Sequence, residues 1–242
     1  MKHLQRETDR LKRKVLALGA LVEDNLRLAF QAIELRDAAK ARKVIETDVL
    51  IDQDEVEIEE ECLKILALYQ PVAGDLRFVA AVIKINSELE RIGDLAENIA
   101  KRALQLLDEP AVTPPHTVSV MADRTGTILE RALDALVRQD AVTAREVLVA
   151  DVEIDELYKQ LLDELKTLLR DKEQLDERLE AVVLLFSVAR YLERLADHAT
   201  NIAEDVLYMV EGEIQRHLES VAPGTAEELL GMRDLGLGDQ PH

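Results

Sequence analysis

The chain has 242 residues, of which 48% are hydrophobic and 33% charged, with 9 Gly, 6 Pro and no Trp. This length allows one large domain or two small ones, and the low content of Gly, Pro and aromatic residues favours helix throughout. The formal net charge of −19 argues against nucleic-acid binding, because an acidic surface repels phosphate backbones.

Three helices are predicted in the first half of the chain, where apolar residues recur every three or four positions. These helices span about residues 4–35, 38–69 and 74–107. Asp37 is placed to cap the second helix, and Pro71 with Gly74 marks a tight turn before the third. Sustained three-four spacing favours near-antiparallel packing, so we expect residues 4–107 to form a three-helix bundle.

The second half repeats this organisation after a linker. Three prolines within residues 108–115 exclude a continuous helix there. Further helices are predicted at about residues 117–138, 140–170 and 174–211. Residues 116–218 should therefore form a second three-helix bundle. The tail at residues 219–242 contains several Gly and Pro and is predicted to be loose.

Targeting and redox features of the sequence are those of a cytoplasmic protein. The N-terminal stretch MKHLQRETDRLKRK is charged, and no apolar run reaches ~20 residues, so we expect neither a signal peptide nor a transmembrane segment. The basic residues of that stretch are interpreted as an exposed helix end rather than as a lipid-binding site. The single Cys62 allows no internal disulfide and is read as a core thiol.

The two halves are copies of one unit. Residues 90–100, ERIGDLAENIA, are matched by residues 193–203, ERLADHATNIA, and the stretch DVLID at 48–52 is matched by DVEID at 151–155. Both matches have an offset of 103 residues, so no insertion or deletion separates them. The sequence therefore predicts an all-α fold of two tandem three-helix bundles related by internal duplication.

Each copy carries two acidic pairs with a spacing of four residues. A lone pair of this kind means little in a chain with 49 acidic residues, because most acidic residues lie on solvated helix faces. These pairs, however, are kept in both copies while neighbours differ, as where Glu97 is matched by Thr200. The eight residues are Asp48, Asp52, Glu90, Asp94, Asp151, Asp155, Glu193 and Asp197.

The position of the turn predicts that the acidic pairs face each other. In an antiparallel hairpin, residues equidistant from the turn lie at the same level. Positions 52 and 90 are each nineteen residues from Pro71, positions 48 and 94 are each twenty-three, and the second copy gives the same counts about position 174. Since residues four apart on a helix have Cβ atoms ~5–6 Å apart, we expect four carboxylates to meet in one patch per copy.

A patch of this kind suits a cation. Asp48 and Asp151 lie on the apolar seams, where an uncompensated carboxylate is costly, and the converging charges repel one another. A bound cation would remove both problems, and so would protonation or a turning of the side chains into solvent. All eight candidate ligands are oxygen donors, which suit Mg²⁺, Ca²⁺, Mn²⁺ or iron better than metals that prefer soft ligands.

Three further polar residues lie close to the acidic pairs. Asn98 and Asn201 follow by one turn and could add a carbonyl ligand or hydrogen-bond the ligands, although capping or packing explains them as well. His198 is rotated off this face, and the first copy has Leu95 in its place, so His198 is interpreted as structural.

At these residues the sequence resembles the PhoU family of phosphate-signalling regulators. The resemblance covers about residues 4–218 and includes all eight acidic positions, both Asn-Ile-Ala endings and the closing segment YMVEGEIQRH at 208–217. It implies two tandem three-helix bundles with pseudo-twofold symmetry, often as a homodimer. It also implies that each bundle carries a surface metal site for iron, zinc, magnesium or manganese, with the acidic residues as ligands.

The resemblance further implies a negative regulator of the phosphate-starvation response. Such a protein is expected to bridge the ATPase of the Pst phosphate transporter and a sensor histidine kinase, and to restrain phosphate uptake when phosphate is plentiful. It would work in the cytoplasm and reach the membrane only through its partners.

Two other functions are compatible with parts of the sequence. A metal-free helical adaptor would use the acidic patches to meet a basic partner surface directly. A carboxylate-bridged di-metal enzyme typically needs Glu-x-x-His on two helices, and none of the five His residues follows a Glu by three positions. The chain also lacks a phosphate-cradling Gly-rich loop and a Ser/His/Asp pattern, so we expect that it is not an enzyme.

Overall fold

Helices make up almost all of the computed structural model, which describes residues 2–110, 112–170 and 175–212. The six helices are α1 (Lys2–Glu34), α2 (Ala38–Tyr69), α3 (Ala73–Asp108), α4 (His116–Arg138), α5 (Ala141–Leu168) and α6 (Leu175–Glu211). No strand occurs in these ranges. The predicted all-α fold is confirmed, and each helix begins and ends within two residues of its predicted bounds. The tail at residues 219–242 and the turn around position 174 lie outside the described residues.

Matched aspartates begin the second helix of each copy. Asp37 accepts hydrogen bonds on Oδ1 from the backbone N–H groups of Ala39 (2.9 Å) and Lys40 (3.2 Å). Asp140, at the matched position, caps α5 in the same way. Such caps satisfy N–H groups that have no partner within the helix. The duplication therefore repeats local structure as well as sequence.

Regularly spaced isoleucines form much of the core between α2 and α3. Ile51, Ile58 and Ile65 of α2 are each no more than 2% exposed, and Ile85, Ile92 and Ile99 of α3 are fully buried. Seven-residue spacing keeps each set on one side of its helix, so the two rows pack against each other along the hairpin. This row-on-row packing fixes the level at which polar residues of α2 and α3 meet.

The two bundles join along α3 and α6, which run antiparallel to each other. Lys84 of α3 pairs with Asp205 of α6, and His198 Nδ1 lies 2.7 Å from Glu88 Oε2. Further along, Arg102 of α3 donates a hydrogen bond to the hydroxyl of Tyr191 (3.4 Å). These contacts connect the two helices, α3 and α6, that each carry one of the predicted acidic pairs.

Two of the basic residues near the N-terminus connect α1 to other helices. Lys14 lies 2.7 Å from Glu57 of α2, and Lys12 Nζ donates to the backbone oxygen of Val137 at the end of α4 (3.0 Å). None of the described helices is long and apolar enough to cross a membrane.

Candidate functional site

The acidic patch of the first copy is built on the α2–α3 hairpin. Asp48 of α2 is only 7% exposed and faces α3 at Gly93. A Cβ added at Gly93 would lie 3.3 Å from Asp48 Oδ1 and 3.1 Å from Ile51 Cγ2, which is tighter than ordinary contact. The absence of a Cβ at Gly93 thus lets the backbone of α3 lie beside the aspartate without displacing Ile51 or Asp48.

The carboxylates of the first copy influence one another's pKa, and Asp52 and Asp94 act on both Asp48 and Glu90. Burial raises the pKa of Asp48 to about 7, and the charges of Glu97, Asp52 and Asp94 add to the shift. Burial also raises the pKa of Glu90, with smaller contributions from Asp94 and Asp52. Asp52 and Asp94 are thus near enough to influence both Asp48 and Glu90, as the spacing about the turn leads us to expect.

Basic side chains offset only part of this charge. Arg91 Nε lies 3.6 Å from Glu90 Oε2, and Arg91 Nη1 lies 3.8 Å from Asp94 Oδ2. Burial remains the largest influence on Asp94 and raises its pKa despite the guanidinium. The patch therefore keeps an excess of negative potential at the surface of the hairpin.

The donor set of this patch fits an oxygen-liganded cation. The Oδ1 atom of Asp48 is buried and accepts no hydrogen bond, and the other three carboxylates are exposed or half-buried beside it. Carboxylate oxygens are the ligands preferred by hard cations. Within the described residues, however, no three His, Cys, Asp or Glu side chains are already arranged so that they could hold a metal ion. The metal assignment accordingly stays a prediction.

The patch of the second copy is similar but more open. Burial raises the pKa of Glu193, and the charges of Asp197 and Asp155 add to the effect. Asp151 is half-buried, whereas Asp48 at the matched position is buried. The residue matching Gly93 is Ala196, so the second copy carries a Cβ at the position where the first copy has none.

The polar residues near the second patch connect the two bundles. Asn201 donates from Nδ2 to Glu88 Oε2 (3.2 Å), and His198 lies 2.7 Å from the same oxygen. Both side chains thus reach across to α3, which agrees with the structural interpretation of His198. Asn98 is half-buried on α3 in the first copy.

Three residues near the hairpins were missed by reasoning from sequence. Glu97 is not kept in the second copy, which has Thr200, yet its charge is the strongest of those acting on Asp48. Asn86 is 1% exposed and donates from Nδ2 to the backbone oxygen of Glu55 (2.8 Å), which fastens α3 to α2. A polar residue at a helix seam position was the available signal for Asn86. Glu88 had no signal, because its partners lie in the other bundle.

Comparison with known proteins agrees with this architecture. The family described as the PhoU domain matches the chain twice, at residues 15–103 and 118–206. The chain is 39% identical over 214 residues to a phosphate-specific transport system accessory protein PhoU homolog of Aquifex aeolicus, covering 88% of this chain and 96% of that one.

Two solved structures are also similar. The crystal structure of PhoU from Pseudomonas aeruginosa has a TM-score of 0.81 and 37% identity, covering 86% of this chain and 99% of that chain. That of the phosphate transport system regulatory protein PhoU from Streptococcus pneumoniae has a TM-score of 0.80 and 31% identity, covering 88% and 99%. The duplicated three-helix unit, its acidic hairpins and these matches lead to one conclusion: the chain belongs to the PhoU family.

Proposed function

We propose that this chain is a non-enzymatic regulator of phosphate transport and of the phosphate-starvation response, and that it restrains phosphate uptake when phosphate is plentiful. It acts by contacts with the ATPase of the Pst transporter and with a sensor histidine kinase. It does so in the cytoplasm, as a homodimer, and reaches the membrane only through these partners. Family membership supports this proposal, together with the names of the relatives as accessory and regulatory proteins of phosphate transport.

The proposal includes one metal site in each copy. Its ligands are Asp48, Asp52, Glu90 and Asp94 in the first copy, and Asp151, Asp155, Glu193 and Asp197 in the second. The observation that carries it is the buried Oδ1 of Asp48, which has no hydrogen-bond partner and lies in the field of the Asp52 and Asp94 carboxylates. The metal is of the divalent or iron type, which includes Fe, Zn, Mg and Mn, and when bound it supplies the positive charge that the patch lacks.

Binding would rearrange a few side chains and fasten the hairpin. Arg91 lies near Glu90 and Asp94 and would compete with a cation for both carboxylates. Asp48 is already held in place by burial against Gly93. Ligands from both helices would then tie α2 to α3 at one level, which gives partner proteins a fixed surface.

Metal analysis tests the ligand assignment. Protein purified without chelator is compared with a Glu90→Ala/Asp94→Ala variant, which we expect to lose the metal of the first copy. The matched control is Glu130→Ala/Asp134→Ala, an acidic pair with the same spacing on α4, which should keep its full metal content. Full retention of metal in the Glu90/Asp94 variant would contradict the ligand assignment.

A partner assay tests the regulatory role separately. The chain is used to capture its partners from cells grown in high and in low phosphate, and we expect capture of the transporter ATPase and of the kinase to depend on phosphate. Equal partner capture by a wild-type chain that contains no metal would instead support the metal-free adaptor. Oxygen-dependent turnover by metal-loaded protein would support the di-metal enzyme.

A further inference from the structure

The outer face of α2 carries a line of exposed apolar side chains. Val49, Val56 and Leu63 are 56%, 52% and 54% exposed, and their seven-residue spacing places them along one side of the helix. At 1.5 Å per residue the line is about 21 Å long. We call these three residues the α2 stripe. Scattered apolar residues on a surface need no explanation, but an aligned set on an outer helix face is a candidate interaction surface.

The second copy shows that the fold does not require this stripe. With the offset of 103 residues, Val56 is matched by Lys159 and Leu63 by Lys166. Lys166 lies on the surface of α5 and pairs with Asp163 at 2.8 Å. The same helix of the same unit therefore accepts lysine at these positions. Packing within the bundle does not explain why the first copy carries apolar residues there.

Acidic residues border the α2 stripe and indicate the charge of what covers it. Four exposed acidic residues lie on its two sides: Glu46, Asp52, Glu59 and Glu60. The exposed basic residues Arg42 and Lys64 lie toward its two ends. A second copy of the chain would bring acidic borders against acidic borders, which opposes association. A partner with basic borders would meet complementary charge between these two ends, along positions 46–60.

We propose that the α2 stripe binds an amphipathic helix of a partner protein, whose apolar side chains repeat every seven residues between Lys and Arg residues. Two helices packed side by side can bury such rows against each other, and the flanking charges then pair across the interface. This inference rests on the proposed function, because a regulator that acts by protein contacts needs a surface of this kind. It specifies the chemistry of one partner segment and assigns the segment to α2.

The binding test uses the full-length chain and a synthetic peptide. The peptide is a helix of about 24 residues with leucines at heptad spacing bordered by lysines, and it is long enough to be helical in isolation. Binding is measured by fluorescence anisotropy at ~150 mM salt, where distant surface charges are screened. We expect a Val56→Lys/Leu63→Lys variant, which carries the residues of the second copy, to bind at least about tenfold more weakly than wild type.

Two further variants control for charge and for folding. Val142→Lys/Val149→Lys makes the same changes at two exposed apolar positions seven residues apart on α5, and should bind within about threefold of wild type. Lys159→Val/Lys166→Leu creates a second stripe beside Val152 and should raise the stoichiometry from one peptide per chain to two. Circular dichroism verifies that each variant remains helical.

Several results would overturn the proposal. These are the absence of peptide binding to wild type, equal weakening by the α2 and α5 lysine variants, and an unchanged stoichiometry in the variant with the second stripe. Loss of a dimer in the Val56→Lys/Leu63→Lys variant, measured by sedimentation, would identify a second copy as the occupant instead. All of these measurements use purified components, so their failure removes the surface assignment and leaves the regulatory role to the partner assay above.

Discussion

Replacing Asp48 by Asn should stabilise the metal-free chain at neutral and alkaline pH. The pKa of Asp48 is raised to about 7 in the folded chain, from an ordinary value of 3.8. Between these values the folded state holds a proton that the unfolded state has released, so the free energy of unfolding falls as the pH rises through this window. The full penalty applies above pH 7. Asn has the same shape and no charge, so the variant should lose this pH dependence.

The size of the effect follows from the shift and from burial. At 1.36 kcal/mol per pKa unit, a shift of about three units corresponds to an upper limit of roughly 4 kcal/mol. Asp48 is only 7% exposed, but Asp52 and Glu90 are more accessible and can turn into solvent, which lowers the repulsion. We therefore expect about 1–3 kcal/mol above pH 7. For a chain of this size that corresponds to a rise in Tm of roughly 3–10 °C.

Thermal unfolding in chelator provides the assay. Wild type and Asp48→Asn are compared by circular dichroism at pH 5 and pH 8, with Glu130→Gln on the exposed face of α4 as the control for the loss of one negative charge. The variant should be the more stable at pH 8, and its advantage should shrink at pH 5. A lower Tm for Asp48→Asn at pH 8, or an equal advantage at both pH values, would refute the reasoning from burial and repulsion.

Two further substitutions test the contacts around the acidic hairpins. Gly93→Ala should destabilise the chain by about 0.5–1.5 kcal/mol in urea unfolding, because the new Cβ crowds Ile51 by more than the gain in helix propensity repays; a more stable variant would show that α2 moves aside freely. Glu88→Ala should cost about 1–2 kcal/mol by removing the partner of His198 and Asn201 between the bundles, while metal content stays unchanged; loss of metal would link that contact to the second patch.

Much of the fold could be predicted because the chain contains the same three-helix unit twice. The three-four spacing of apolar residues set the helix bounds, and Asp37 with Pro71 indicated where α2 begins and ends. The constant offset of 103 residues then related the copies without any gap to place. The levels of the acidic pairs followed from counting residues from the turn, since residues equidistant from it lie opposite each other in an antiparallel hairpin.

Other features depend on how each helix is rotated about its axis and on contacts with residues far away in the sequence. Counting residues from the turn predicts neither of these. The sequence pattern predicts equivalent positions for Asp48 and Asp151, yet Asp48 is buried and Asp151 is half-buried. At the matched positions of the facing helices the first copy has Gly93, which lies against Asp48, and the second copy has Ala196. Glu88 meets His198 only because the bundles pack through α3 and α6. No pattern within one copy indicates such a contact.

The comparison of the two copies separates what the scaffold needs from what was added to it. Both copies keep the acidic pairs, whereas the buried aspartate, the glycine against it and the apolar stripe occur in the first copy. All three involve α2, because the acidic patch and the α2 stripe lie on neighbouring sides of this helix. Asp52 belongs to both, as a candidate metal ligand and as part of the acidic border. A cation that neutralises Asp52 therefore also changes the charge that a partner helix meets, and by linkage the partner must alter cation affinity by the same factor.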